Sequence, residues 1–155
     1  MSSLSRSRTS RIIKAPREAV YGAFINPQTL SVWLAPGMMT GRILDFDARV
    51  GGGYRMSLSY PSTDCAHVGK SSEREDRFSS RFVELQPPER IVQMIQFDTS
   101  EPAFSGEMRM EVTLEDRQGD TLVTIAFENI PPGISPEDND TGTRLSLEKL
   151  AQYLE

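Results

Sequence analysis

Cysteine and histidine are almost missing from this 155-residue chain, which has one of each, Cys65 and His67. A lone cysteine excludes an internal disulfide and suits a reducing, cytoplasmic compartment. One thiol and one imidazole fall short of the three or four ligands a zinc-type site requires, so neither a metal nor another cofactor is expected. The pair also sits two positions apart in a polar stretch, which gives no assurance that thiol and imidazole face each other as a nucleophile and its base. Long apolar runs are missing as well. Nothing approaches the roughly 20 residues of a membrane span, and the start, "MSSLSRSRTSRIIKAP", has no continuous apolar segment of the signal-peptide kind. Basic excess is absent, because the net charge is -5. That balance excludes the positive footprint that nucleic acid or an anionic membrane would demand. No period repeats, so a solenoid is excluded too.

What remains is ordinary globular material, 37% hydrophobic and 25% charged, of single-domain length across 1–155. The first eight residues read as a flexible tail. Thr9, Arg11 and Ile13 then alternate with Ser10, Ile12 and Lys14, a short first strand. Pro16 opens a helix to Ile25 with Ala19, Val20, Ala23 and Phe24 on one face. Asn26-Pro27 repeats the start signal, and Leu30, Trp33 and Leu34 continue it to a stop at Ala35-Pro36-Gly37. From Thr40 to Phe127 the period becomes two. Leu44 and Phe46 share a strand face, and Tyr54, Met56, Leu58 and Tyr60 share another. A strand from about Glu73 to Leu85 stops at Pro87-Pro88. Strands follow over Ile91–Phe97, Met108–Glu115 and Val123–Phe127, the last two joined at Gln118-Gly119-Asp120.

The tail returns to helical spacing. Ser135-Pro136-Glu137-Asp138 is a start signal, and Thr143, Leu147, Leu150, Ala151 and Leu154 form one apolar stripe. Leu145 lies about half a turn off it, exposed or part of a contact surface, which leaves a homodimer open. The reading is an α+β fold: a curved antiparallel sheet of about seven strands around a long C-terminal helix, with two short helices after the first strand. Only the last helix is long enough to cover the apolar sheet face. Where facing side chains are too small to meet, a cavity follows.

The run "VGGGY", Gly51–Gly53, asks whether it cradles a phosphate. Such a cradle leads from a strand into a helix N-terminus. Here the glycines lead from strand to strand, so they bend the chain.

The stretches "IIKAPREAVYGAF", "DARVGGGYRM", "FVELQPPERIV" and "SLEKLAQYLE" together resemble the activator-of-heat-shock-protein-90-ATPase-like family of the START-related SRPBCC superfamily, from about Ile12 to Glu155. The resemblance implies a helix-grip fold with a hydrophobic pocket between the last helix and the sheet. It implies little about activity, since relatives include lipid binders, antibiotic self-resistance proteins, cyclases and a chaperone cofactor. Members commonly carry a tryptophan where this chain has Thr143, so the pocket is expected to be enlarged there. Trp33 resembles a tryptophan of the family at the end of the second helix.

The expected ligand-binding set is drawn from the inward faces. It comprises Trp33 and Met39 near the second helix, Met56, Leu58 and Tyr60 on one strand, and Phe78, Phe82 and Glu84 on the next. Met94, Met108 and Met110 follow on later strands, with Thr143 and Leu147 on the last helix. Methionine adapts to irregular space; each residue taken singly is better explained as core, and it is the set around the sheet that reads as pocket lining. Met38 and Met39 could gate an opening. Glu84 shares parity with Phe78, Phe82, Asp76 and Ser80, and is the expected buried carboxylate. The charged run Glu73–Arg77 is otherwise explained by surface pairing, and Asp45 with Asp47 gives no acid–base assignment by itself.

The leading expectation is a binding protein for a small hydrophobic or amphipathic molecule, with no catalytic residues assigned. An enzyme acting in the same cavity (lyase, cyclase or hydrolase) would need an inward polar pair such as Glu84 with Arg77 or Arg81. A chaperone cofactor ranks below both, because the resemblance ties that activity to an additional N-terminal domain.

Overall fold

The computed structural model describes residues 5–35, 39–59, 75–99 and 102–155. Seven strands form one antiparallel sheet: β1 (Arg6–Ile13), β2 (Thr40–Phe46), β3 (Gly53–Ser59), β4 (Glu75–Gln86), β5 (Arg90–Phe97), β6 (Glu107–Arg117) and β7 (Asp120–Glu128). Their spatial order is β1-β7-β6-β5-β4-β3-β2. Consecutive strands from β2 to β7 are neighbours, and β1 closes the far edge against β7. Helices α1 (Arg17–Phe24) and α2 (Pro27–Trp33) lie between β1 and β2, and α3 (Pro136–Leu154) ends the chain. The sheet curves around α3, so the helix-grip architecture expected from the sequence is the observed one.

β1 starts three residues before the apolar alternation at Thr9. Arg6, Ser7 and Arg8, expected in a flexible tail, pair with Glu128, Phe127 and Ala126 of β7. Their polar side chains give no periodic signal, whereas backbone pairing depends on none.

The short helices are held by specific contacts. The Asn26 side chain accepts a hydrogen bond from the Gln28 amide, capping α2. The Trp33 indole Nε1 donates to the Ala23 carbonyl at 2.9 Å and meets Phe24 edge-on at 4.7 Å between centroids. α1 and α2 are thereby locked at their ends. α3 is capped by Ser135, whose hydroxyl accepts from the Asp138 amide, and Ser7 and Thr9 of β1 bond Asn139 and Asp140 in its first turns. Leu147 and Leu150 are fully buried beneath it, each contributing roughly 2 kcal/mol by area.

The glycine run does bend the chain. Gly51 has φ +88°, a conformation that costs side-chain-bearing residues energy. Gly53 begins β3 so close to β4 that an added Cβ would lie 1.8 Å from the Ser80 carbonyl oxygen. The Gly51 amide donates to the Phe82 carbonyl and the Phe82 amide to the Gly52 carbonyl. These backbone amides are engaged by the sheet.

Two bulges interrupt the strand period, at Leu44 between Ile43 and Asp45 of β2 and at Val83 between Phe82 and Glu84 of β4. The second has a large effect. Phe82 pairs with inward Gln93, but Glu84 pairs with outward Val92. The extra residue turns the remainder of the strand over. On the outer face Glu84 joins an alternating series of charges that crosses five strands: Arg6, Glu128, Arg109, Glu111, Arg90 and Glu84. Glu111 is its hub, 2.7 Å from Arg90 and 3.2 Å from Arg109. Desolvation by burial pushes the Glu111 carboxyl up, but the hydrogen bond from Arg109 and the charge of Arg90 outweigh it and hold it below the usual glutamate range.

Gly53→Ala is expected to lose about 2–4 kcal/mol in denaturant unfolding, and Gly51→Ala, with open space but positive φ, about 1–2 kcal/mol. Equal, negligible losses would refute this account of the glycines. Because the Glu111 carboxyl titrates below its unfolded-state value, its contribution is complete at neutral pH. It is lost as the pH falls through the ordinary glutamate range near ~4.3 and then through the lower folded-state value. Glu111→Gln should therefore cost about 1 kcal/mol at pH 7, and the gap between variant and parent should close in acid. A gap that widened on acidification would be the contrary result.

Candidate functional site

A cavity of about 270 Å³ lies between α3 and the sheet. The sequence of α3 accounts for it. Asn139, Gly142, Thr143 and Ser146 follow each other at helical spacing on the inward face, and all four line the cavity. One turn later the same stripe becomes Leu147, Leu150 and Ala151, which reach the sheet and close the core. A Cβ added at Gly142 would meet nothing within 4 Å. The Thr143 hydroxyl folds back onto the Asn139 carbonyl at 2.8 Å, and the Ser146 hydroxyl donates to the Leu34 carbonyl at 2.7 Å. Both polar groups are satisfied within the protein, leaving mostly carbon facing the void.

The opposite wall is set by register. Phe78 of β4 stands between Met56 of β3 and Phe97 of β5. Ile95 of β5 pairs with Met108 of β6, and Met110 of β6 pairs with Phe127 of β7. All these residues except Met56 line the cavity, together with Tyr54, Leu58 and Ile125. The Tyr54 hydroxyl donates to Gln93 Oε1 at 3.2 Å, and Ser80 donates to the same oxygen. Burial pushes the Tyr54 phenol far above its ordinary value, against a smaller opposing effect of Ser80. It stays a neutral donor. At the rim, Lys149 of α3 donates to the Ala35 and Met39 carbonyls, which ties the segment after α2 to the helix. Partial burial lowers the Lys149 ammonium below the usual lysine range.

Of the residues expected at the site, Trp33, Met39, Leu58, Phe78, Met108, Met110 and Thr143 line the cavity. Thr143 is buried there and not in solvent. Met56, Phe82 and Leu147 are fully buried beside it as packing. Met94 pairs with Arg81 and Arg109 on the outer side of the sheet. Glu84 is likewise outside, 3.2 Å from Arg90, because of the Val83 bulge. The buried carboxylate on that strand is Asp76, which lies before the bulge and lines the cavity at 2% exposure. Arg77 and Arg81 are exposed, so the Glu84–arginine pairing considered for an enzyme is not assembled inside. Leu145 is exposed. Tyr60, Met38, Cys65 and His67 lie outside the described residues.

Residues missed from the sequence include Asp138, Asn139 and Ser146, which line the cavity as polar members of the α3 stripe. Hydrophobic periodicity passes over them, although the spacing i, i+3, i+4 and i+7 from Asn139 puts Asn139 and Ser146 on one face with Gly142 and Thr143; Asp138 lies off that spacing. A larger depression of about 410 Å³ involves Arg55, Ser79 and Gln96, which pair across the outer face. Its lining is mostly polar, with Arg55 engaged by Asp45, and it lacks the apolar walls of a small-molecule site. Among the described residues no group of three or more histidine, cysteine or acidic side chains is placed to hold a metal, and no helix is long and apolar enough to cross a membrane.

No curated protein matches this chain significantly. Among solved structures, protein CV1439 from Chromobacterium violaceum is 33% identical, with a TM-score of 0.86 and 97% of each chain covered. A Rhodobacter sphaeroides protein shares the fold at 19% identity and a TM-score of 0.76, with 97% of this chain and 91% of the other covered. DynU16, from the dynemicin biosynthetic locus, shares it at 19% identity and a TM-score of 0.67 over 97% of this chain but 47% of its own. Residues 14–155 match the family described as activator of Hsp90 ATPase homolog 1-like protein. With that match over nearly the whole chain, the protein belongs to the activator of Hsp90 ATPase homolog 1-like family.

Proposed function

We propose that the protein binds a small hydrophobic or amphipathic molecule in the cavity between α3 and the sheet. The observation that carries this reading is the change of side-chain size along α3. Four small or polar residues lie over the aromatic and methionine wall, whereas leucines close the core one turn on. A void lined by carbon forfeits dispersion contacts, and a guest restores them. Trp33 and Phe78 supply flat apolar walls, Met39, Met108 and Met110 adjust to the guest's outline, and Thr143 sets the depth at the helix side.

The scale of binding follows from size. At roughly 0.3–0.5 kcal/mol per non-hydrogen atom, a guest of about fifteen such atoms binds in the micromolar to sub-millimolar range. A guest present at about a hundred times its Kd stabilises the fold by about 2.7 kcal/mol, a rise in Tm of roughly 5–10 °C at this chain length.

A thermal-shift screen of lipid, polyketide and aromatic compounds, followed by native mass spectrometry, is expected to find guests with shifts of that order. A screen in which no compound stabilises the protein would contradict the proposal. Thr143→Trp should fill the space beside Gly142, abolish binding of any guest so found, and leave the unliganded protein at least as stable. Undiminished binding by that variant would place the guest elsewhere.

A further inference from the structure

Among the described residues, every hydroxyl and indole group that lines the cavity directs its hydrogen into the protein. The Trp33 indole donates to the Ala23 carbonyl at 2.9 Å. The Tyr54 phenol donates to Gln93 Oε1 at 3.2 Å. On α3, Thr143 donates to the Asn139 carbonyl at 2.8 Å and Ser146 to the Leu34 carbonyl at 2.7 Å. A hydroxyl has one hydrogen but two acceptor lone pairs. These side chains therefore keep acceptor capacity after their donor capacity is used.

The three hydroxyl oxygens are not equally placed to meet a guest. That of Tyr54 has Ser80 as a further hydrogen-bonding neighbour. Ser146 is drawn toward the end of α2 by its bond to Leu34. Thr143 is buried beside Gly142, where an added Cβ would meet nothing within 4 Å, so there is room for a guest atom next to it. One neighbour acts in the other sense, because the Asn139 side chain carries amide hydrogens. Its oxygen accepts from Ser7 of β1, which holds that side chain against the sheet edge.

We infer that the guest is a hydrogen-bond donor, an apolar body bearing an O–H or N–H group, and that the Thr143 oxygen accepts its hydrogen. This rests on the cavity being the ligand site, as proposed above. A donor guest adds a bond at Thr143 and breaks none within the protein. A guest with only an acceptor, such as a ketone, must take the Thr143 hydrogen from the Asn139 carbonyl. One bond is then exchanged for another, while the guest's own bonds to water are lost. The difference of one net hydrogen bond is worth about five- to tenfold in affinity. This selection acts between neutral molecules, so charge plays no part in it.

Three neutral bicyclic probes of nearly one shape separate the cases: indole, which donates through its N–H; 1-indanone, which only accepts; and indene, which does neither. Each is titrated into the full chain and followed by the methyl signals of Met108 and Met110, which line the cavity. The expected order of affinity is indole, then indene, then indanone, with indole at least about fivefold tighter than indanone. Thr143→Val keeps the outline of the side chain and removes the oxygen. It should abolish indole's advantage over indene while indene binds as in the parent, and retained indene binding shows that the variant is folded. Indanone binding as tightly as indole in the parent protein overturns the inference and leaves the cavity reading standing. An undiminished indole advantage in Thr143→Val does the same. If none of the three probes moves those methyl signals, the cavity reading fails and the inference fails with it. If Thr143→Val does not fold, the order in the parent protein decides.

Discussion

The structure turns on how closely α3 can approach the sheet. A helix packs at a distance set by the side chains between it and its neighbour, and α3 changes those side chains midway. Its carboxyl half carries Leu147, Leu150 and Ala151, which are fully buried and fix the helix on the sheet. Its amino half carries Asn139, Gly142, Thr143 and Ser146 on the same stripe, too small to reach the opposite wall. A rigid rod held at one end cannot sag into the gap at the other. The bonds from Ser7 and Thr9 to the first turns prevent α3 from tilting inward, since they tie that end to β1. The cavity is therefore a consequence of two anchored ends and a thin middle face.

Charge is distributed accordingly. The outer face carries the arginines, interleaved with glutamates from Arg6 to Glu84. There the charges remain within reach of water and satisfy one another. The inner face carries neutral hydrogen-bonding groups, Tyr54, Ser80 and Gln93, engaged among themselves, and a buried carboxylate of β4, Asp76.

Much of this was legible in the sequence, for physical reasons that differ by element. The order of elements follows from the change of period, from 3.6 over α1 and α2 to two over the strands and back to 3.6 over α3. The inward positions of Trp33, Leu58, Phe78, Met108, Met110 and Thr143 follow from that parity. Parity fails where a bulge adds a residue. Val83 carries no glycine or proline to announce one, so Glu84 turns outward from the place that strict alternation would assign it, while Asp76, before the bulge, stays on the inward face. Polar Arg6–Arg8 in β1 give no alternation of apolar residues, yet their backbone pairs throughout. The small stripe of α3 was half visible, because Thr143 lies on the apolar face while Asn139 and Ser146 speak as polar residues. What sequence cannot supply is the distance between two surfaces, and that distance is what makes a void.

The existence of that void is tested most directly by filling it with a chemically inert atom. An empty apolar cavity takes up xenon, and the methionine methyl groups of this chain sit on both sides of the question. In protein labelled with 13C at the methionine methyls, xenon pressure should shift the signals of Met39, Met108 and Met110. The signal of Met94, on the outer face, should stay in place. Shifts at Met94 alone, or at no methyl, would show that α3 and the sheet meet without the space ascribed to them.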